Sequence, residues 1–129
     1  MNIYESAEDY LERILILQEK QDGVRSIDIA HSMGFSKPSV SVAMKKLKEA
    51  GLIVINDDGY ISLTKEGHII ADKIYDRHRV LMQLLVNIGV SQEQAEKDAC
   101  KVEHVISEET FEAIKKNVKW RLLESFFVT

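Results

Sequence analysis

The stretch SIDIAHSMGFSKPSVSVAMKKLKEAGLIVINDDGYISL, Ser26 to Leu63, decides the fold. Its first part, about 26–33, reads as a short helix carrying Ile27, Ala30 and Met33 and stopped by Gly34. Ser36 is placed to cap a second helix, with Pro38 in the first turn, where a missing N–H costs nothing. That helix runs to about Ala50 on the apolar set Val40, Ala43, Met44 and Leu47, and Gly51 terminates it. Leu52-Ile53-Val54-Ile55-Asn56 then reads as a strand, Asp57-Asp58-Gly59 as a hairpin turn, and Tyr60-Ile61-Ser62-Leu63 as the returning strand. Two helices joined by a tight turn and followed by a hairpin make a winged helix-turn-helix.

Working outward, residues of about 5–20 read as an amphipathic helix with Ala7, Tyr10, Leu11, Ile14, Leu15 and Leu17 on one face, ended by Asp22-Gly23. Thr64 caps a long helix of about 65–87 whose stripe is Ile70, Ile74, Leu81, Leu84, Leu85 and Ile88, and Gly89 ends it. Ser91, with Gln94 three residues on, is a capping box for a helix of about 92–106. Ser107, followed by Glu108 and Glu109, opens the last helix, on Phe111, Ile114, Val118, Leu122 and Leu123. The fold class is therefore mainly α: a winged helix-turn-helix over residues 1–64, then an all-helical module over 65–129. The second half has too little core to be comfortable alone, which points to packing on a partner subunit. Phe111, Trp120, Phe126 and Phe127 would supply apolar surface for it.

Composition bounds the rest. The chain has 129 residues, 45% hydrophobic, enough for one mid-sized domain or a small domain with a dimerisation module. No stretch approaches the ~20 uninterrupted apolar residues of a membrane span. The N-terminus lacks a basic start and an apolar core, so no signal peptide is expected. The single cysteine, Cys100, excludes an intramolecular disulfide and fits a reducing cytoplasm. Net charge is −4, unlike a protein that simply coats nucleic acid. The charge is uneven: Arg25 to Glu66 carries six basic and five acidic residues, about +1, which leaves about −5 elsewhere.

In a helix-turn-helix the second helix lies in the major groove and its N-terminal residues meet the bases. Here these are Ser36, Lys37, Pro38, Ser39, Ser41 and Val42. Hydroxyls allow close approach, and Val42 or the Pro38 ring suits a thymine methyl. Arg25, Lys45, Lys46 and Lys48 suit phosphates. The acidic wing tip does not, so a minor role is expected of it. A lysine run is also what any solvated helix face shows, and a winged helix can serve as a protein-interaction module.

The remaining chemistry lies in Cys100-Lys101-Val102-Glu103-His104. In a helix Cys100, Glu103 and His104 share a face, opposite an apolar stripe of Ala95, Ala99, Val102 and Ile106. Asp9 and Glu12 form an i, i+3 pair near the N-terminus, and His78 borders the stripe of the long helix. Thiolate, imidazole and carboxylate are donors that divalent transition metals take. Each also has a plain reading: a polar face, surface carboxylates, a hydrogen-bonded core histidine. A sensor thiol at Cys100, answering to an oxidant or small molecule, is the competing regulator. An enzyme finds no support, since there is no HExxH, phosphate loop or nucleophile elbow.

Glu8-Asp9-Tyr10-Leu11-Glu12, Ser36-Lys37-Pro38-Ser39-Val40-Ser41, Arg77-His78-Arg79 and Asp98-Ala99-Cys100-Lys101-Val102-Glu103-His104-Val105-Ile106-Ser107 together resemble the diphtheria-toxin-repressor/manganese-transport-regulator family over nearly the whole chain. The resemblance implies a homodimeric, metal-activated repressor that reads a palindromic double-stranded DNA operator and silences metal-uptake genes when metal is plentiful. It implies metal ligation by Asp9, Glu12, His78, Cys100, Glu103 and His104, with the metal linking the N-terminal helix to the dimerisation helices. Asp9 matches the manganese branch and Cys100 the iron branch. The expected co-repressor is thus Fe2+ or Mn2+, with Co2+, Ni2+ or Zn2+ as substitutes. An ancillary site of the iron-type members is not matched, because its positions hold Met82 and Glu96. With the sequence ending at Thr129, no SH3-like C-terminal domain is expected.

Overall fold

The structure, a computed structural model, describes residues 3–121 and the side chains of residues 5–121. The order of elements is α1 (Ile3–Lys20), α2 (Ser26–Met33), α3 (Lys37–Glu49), β1 (Ile53–Ile55), β2 (Ile61–Leu63), α4 (Lys65–Asn87), α5 (Gln92–Val102) and α6 (Glu108–Asn117). Two compact units divide within α4, between Asp72 and Lys73.

In the first unit, α1 buries Tyr10, Leu11, Ile14, Leu15 and Leu17, as the apolar spacing requires. Gly34 ends α2 with φ 71°, a left-handed backbone that glycine takes without strain, and its N–H reaches the Ala30 carbonyl. Ser36 caps α3: its hydroxyl accepts from the Ser39 N–H. Val40, Met44 and Leu47 fill the inner face of α3, while Ala43 is only half-buried.

β1 and β2 pair antiparallel with Ile53 opposite Leu63 and Ile55 opposite Ile61. Ile53 and Ile61 point inward and Val54 outward, which is the period-two alternation read from the sequence. The Asn56 side chain accepts from the backbone N–H of both Asp58 and Tyr60 and so closes the wing turn. The Ile61 N–H bonds the Val24 carbonyl, tying the wing to the segment before α2. Thr64 caps α4 by accepting from the Gly67 N–H, and its hydroxyl donates to the Gly51 carbonyl. Gly67 lies against the Leu52 carbonyl so closely that a Cβ there would meet its oxygen at 1.9 Å. Sequence reading gave that glycine no role.

In the second unit, Leu81 and Met82 of α4 pack against Ala95 and Ala99 of α5, with Leu85, Val86, Val90, Ile106 and Ile114 around them. Ser91 caps α5, accepting from the Gln94 N–H, but the Gln94 side chain turns to Asp98. Only half of the expected capping box therefore forms. Ile88, expected in the stripe of α4, is exposed because Gly89 turns the chain at that point with φ 106°.

Two further expectations are corrected. α5 ends at Val102 rather than near Ile106, and Val102 is 37% exposed. The buried row of α5 is Ala95, Ala99 and then Glu103, each one turn apart, so Glu103 continues the core row instead of facing away from it. α6 ends at Asn117, with Val118 already extended. Leu122, Leu123, Phe126 and Phe127 lie outside the described residues. No helix among the described residues is long and apolar enough to cross a membrane.

Candidate metal centre

The polar cluster of the second unit grows from two helical rows. On α4, His78 lies one turn after Ile74 and is buried, 3% exposed. On α5, Glu96 and Cys100 lie one turn apart beside the Ala95–Ala99 row, and Glu103 at its end is 0% exposed. Side-chain donors of His78, Cys100 and Glu103 fall within 4.8 Å of one another. His78 Nδ1 is 2.6 Å from Glu103 Oε1 and 3.9 Å from Cys100 Sγ, while Nε2 is 2.8 Å from Glu96 Oε2.

Burial opposes a charged imidazole at His78. The hydrogen bonds with Cys100, Glu103 and Glu96 and the negative charge of Glu103 more than offset it, so the ring titrates far above its ordinary range. Burial pushes the Cys100 thiol up as well, with His78 acting in the opposite direction.

Glu103 carries the sharpest indication that the cluster fits a cation. Its Oε2 is buried and has no hydrogen-bond partner, although burying an unsatisfied charged oxygen is strongly unfavourable. A divalent ion would satisfy it. A thiolate, an imidazole and a carboxylate form a mixed soft and hard set suited to first-row transition metals.

Arg77 frames this cluster. It is buried, and its guanidinium donates to the carbonyls of Glu103 and Ile106 and to the Glu108 carboxylate, with the Phe111 ring 5.3 Å away. The last carbonyls of a helix have no internal partner. Arg77 takes the carbonyls of the C-cap residue Glu103 and of Ile106 beyond it, and so ties the segment after α5 to α4. The sequence marked Arg77 only as part of a matching motif. Its role depends on a contact 26 residues away, which helical spacing does not encode.

Of the six residues proposed as ligands from the sequence, His78, Cys100 and Glu103 come together in the second unit. His104 follows in the turn after α5, half-buried. Asp9 and Glu12 lie on α1 in the first unit, where Glu12 is buried and Asp9 half-buried. In the sequence Glu96 stands only as a departure from an ancillary-site pattern. Its spacing of one turn from Cys100 was the signal that could have found it.

The residues expected to read DNA all lie in the first unit. Ser36, Lys37, Pro38, Ser39, Ser41, Val42, Lys45, Lys46 and Lys48 are exposed, Val42 by 56%. Arg25 is exposed too, with its guanidinium 4.4 Å over the Tyr60 ring of the wing. Val42, exposed among these serines and lysines, suits contact with a thymine methyl.

Comparison with known proteins agrees with both halves. A family model described as the N-terminal DNA-binding domain of iron-dependent repressors matches residues 2–69. One described as their metal-binding and dimerisation domain matches residues 64–120. The transcriptional regulator MntR of Escherichia coli O6:H1 is 36% identical over 111 residues, covering 86% of this chain and 72% of that protein. The iron-dependent repressor IdeR of Mycobacterium tuberculosis is 32% identical over 108 residues, covering 83% of this chain and 47% of that protein. A solved manganese-dependent transcriptional repressor in complex with manganese superimposes with a TM-score of 0.78 at 34% identity, over 85% of this chain and 51% of the other. For the manganese regulator SloR the TM-score is 0.77 at 32% identity, over 85% and 52%. This chain thus spans about half the length of these solved relatives. A winged helix, a donor cluster with an unsatisfied carboxylate, and matches over both halves converge on one conclusion: the chain belongs to the family of iron- and manganese-dependent transcriptional repressors, DNA-binding regulators rather than enzymes.

Proposed function

We propose that this chain is a repressor of metal-uptake genes, activated by Fe2+ or Mn2+, which works in the cytoplasm as a homodimer on a palindromic operator. Residues 1–64 read DNA and residues 65–129 hold metal and dimerise. The observation that carries the reading is the buried Glu103 carboxylate, with one oxygen on His78, the other without a hydrogen bond, and the Cys100 sulfur beside it.

The ligand set is Asp9, Glu12, His78, Cys100, Glu103 and His104. What supports it is the donor chemistry of the His78–Cys100–Glu103 cluster, the position of His104 next to it, and the resemblance of the Asp9–Glu12 segment. When bound, a divalent ion supplies positive charge that these acidic donors balance. Cys100 and His78 give up their protons to act as donors, and Glu103 gains a partner for Oε2. Asp9 and Glu12, once neutralised, no longer repel DNA phosphates from the acidic part of the DNA-reading unit. Ser36, Lys37, Pro38, Ser39, Ser41 and Val42 meet the bases, and Arg25, Lys45 and Lys46 the phosphates.

The test is anisotropy of a labelled palindromic duplex from a metal-transporter promoter, with Fe2+, Mn2+, Co2+, Ni2+ or Zn2+ added anaerobically. The reading expects affinity to rise steeply with Fe2+ or Mn2+ and to collapse with chelator. Affinity indifferent to every metal would overturn it.

A further inference from the structure

We propose that Glu96 is a positioning residue of the metal centre: by accepting the Nε2–H of His78 it leaves Nδ1 as the nitrogen that His78 offers to the ion. The inference rests on the metal-binding reading above and adds a residue to it.

The two ring nitrogens of His78 face different walls. Nδ1 looks toward Glu103 Oε1 at 2.6 Å and Cys100 Sγ at 3.9 Å. Nε2 looks toward Glu96 Oε2 at 2.8 Å. A neutral imidazole has one lone-pair nitrogen, and the hydrogen bond made by the other nitrogen decides which one that is. Ligating histidines commonly hand their second N–H to a carboxylate, which fixes the tautomer and the plane of the ring. Glu96 stands where such a carboxylate is needed.

Glu96 also has the right address on α5. It precedes Cys100 by one turn, and its second oxygen, Oε1, lies 3.7 Å from Cys100 Sγ. One side chain therefore abuts two of the ligands. The Glu96 side chain is 28% exposed, against 0% for Glu103. That separates their tasks: the enclosed carboxylate has the oxygen without a hydrogen bond, while the carboxylate at the rim is committed to the ring. A surface glutamate on a solvated helix face would not aim both oxygens at His78 and Cys100.

The experiment uses the full chain labelled with 15N-histidine, with and without Zn2+, in wild type, Glu96→Ala and Glu96→Gln. Two-bond 1H–15N spectra report which His78 nitrogen is protonated and which is metal-bound, and chelator competition reports Zn2+ affinity. The expected result is that wild type binds Zn2+ through Nδ1 with Nε2 protonated. Glu96→Ala weakens Zn2+ binding by about 10- to 100-fold and lets Zn2+ sit on either ring nitrogen. Glu96→Gln keeps a carbonyl acceptor, retains the Nε2–H tautomer and loses less. Metal on Nε2 in wild type overturns the proposal, as does wild-type affinity with Zn2+ still on Nδ1 alone in Glu96→Ala. If Zn2+ leaves both His78 nitrogens of wild type unshifted, the metal-binding reading itself falls, and that result is distinct from the other two.

Discussion

Helices α3 and α5 are built alike and used in opposite ways. Each begins with a serine that accepts the N–H three residues on, and each buries one row of side chains, Val40, Met44 and Leu47 in one and Ala95 and Ala99 in the other. α3 keeps every polar residue in solvent, ready for a partner that comes from outside. α5 ends its apolar row in Glu103 and so places a carboxylate where only a positive charge makes it tolerable. A reading surface can be assembled from one helix alone. In the proposed function a sensing centre draws on side chains from several elements, and the Glu103 oxygen without a hydrogen bond is what suits the cluster to a cation.

The sharpest break of this contrast is at the sensing end. Cys100→Ala, and separately His104→Ala, should abolish the metal-dependent gain in operator affinity while the circular dichroism spectrum and the midpoint of thermal unfolding stay near wild type. Normal metal response in either variant would remove that residue from the ligand set.

Arg77→Ala comes next. It strips partners from the Glu103 and Ile106 carbonyls, at about 1–3 kcal/mol for each buried group left unsatisfied. Urea unfolding should show a loss of that size, and metal affinity should fall as well, because Glu103 is no longer held in place.

Gly67→Ala strikes the first unit only. The added Cβ collides with the Leu52 carbonyl, and relief of such overpacking typically costs about 1–3 kcal/mol. Amide exchange in α1, α2 and α3 should accelerate, while the His78–Glu103 cluster is not touched directly.

Smaller effects belong to the reading surface. Lys45→Ala and Lys46→Ala should each weaken binding uniformly across DNA sequences and lower the slope of log affinity against log salt by about 1. Metal affinity of the isolated protein should not change. Smallest of all, Asp57→Asn and Asp58→Asn at the wing tip should alter operator affinity by less than about 2-fold at ordinary salt, since surface charges of this kind are well screened. A large loss there would show that the wing does more than its acidic tip suggests.

Most of the fold was legible because its punctuation is local. Gly34, Ser36, Pro38, Gly51 and Thr64 act within a few residues of themselves, and the helices and strands between them follow. The C-terminal end of α5 is not legible in the sequence, because the chain there is tied to a guanidinium 26 and 29 residues away. The same cause misplaced Glu103: on a helical wheel a glutamate is put on the wet side, and only the packing of Ala95 and Ala99 against α4 shows that it continues their row. Cys100 and His78 were legible as donor types, but their approach within reach of Glu103 was not, since it depends on α4 and α5 meeting. Glu96 was visible as a residue and invisible as a partner for the same reason.

The central claim is that the buried cluster and the exposed face of α3 are energetically coupled through metal. The most direct test measures the affinity of the wild-type protein for Mn2+ with and without saturating operator duplex. Linkage requires that whatever factor metal adds to DNA affinity, DNA adds to metal affinity, typically 5- to 150-fold. The account predicts tighter Mn2+ binding on the operator by the same factor that Mn2+ gives to operator binding. Equal Mn2+ affinity on and off the operator would contradict it.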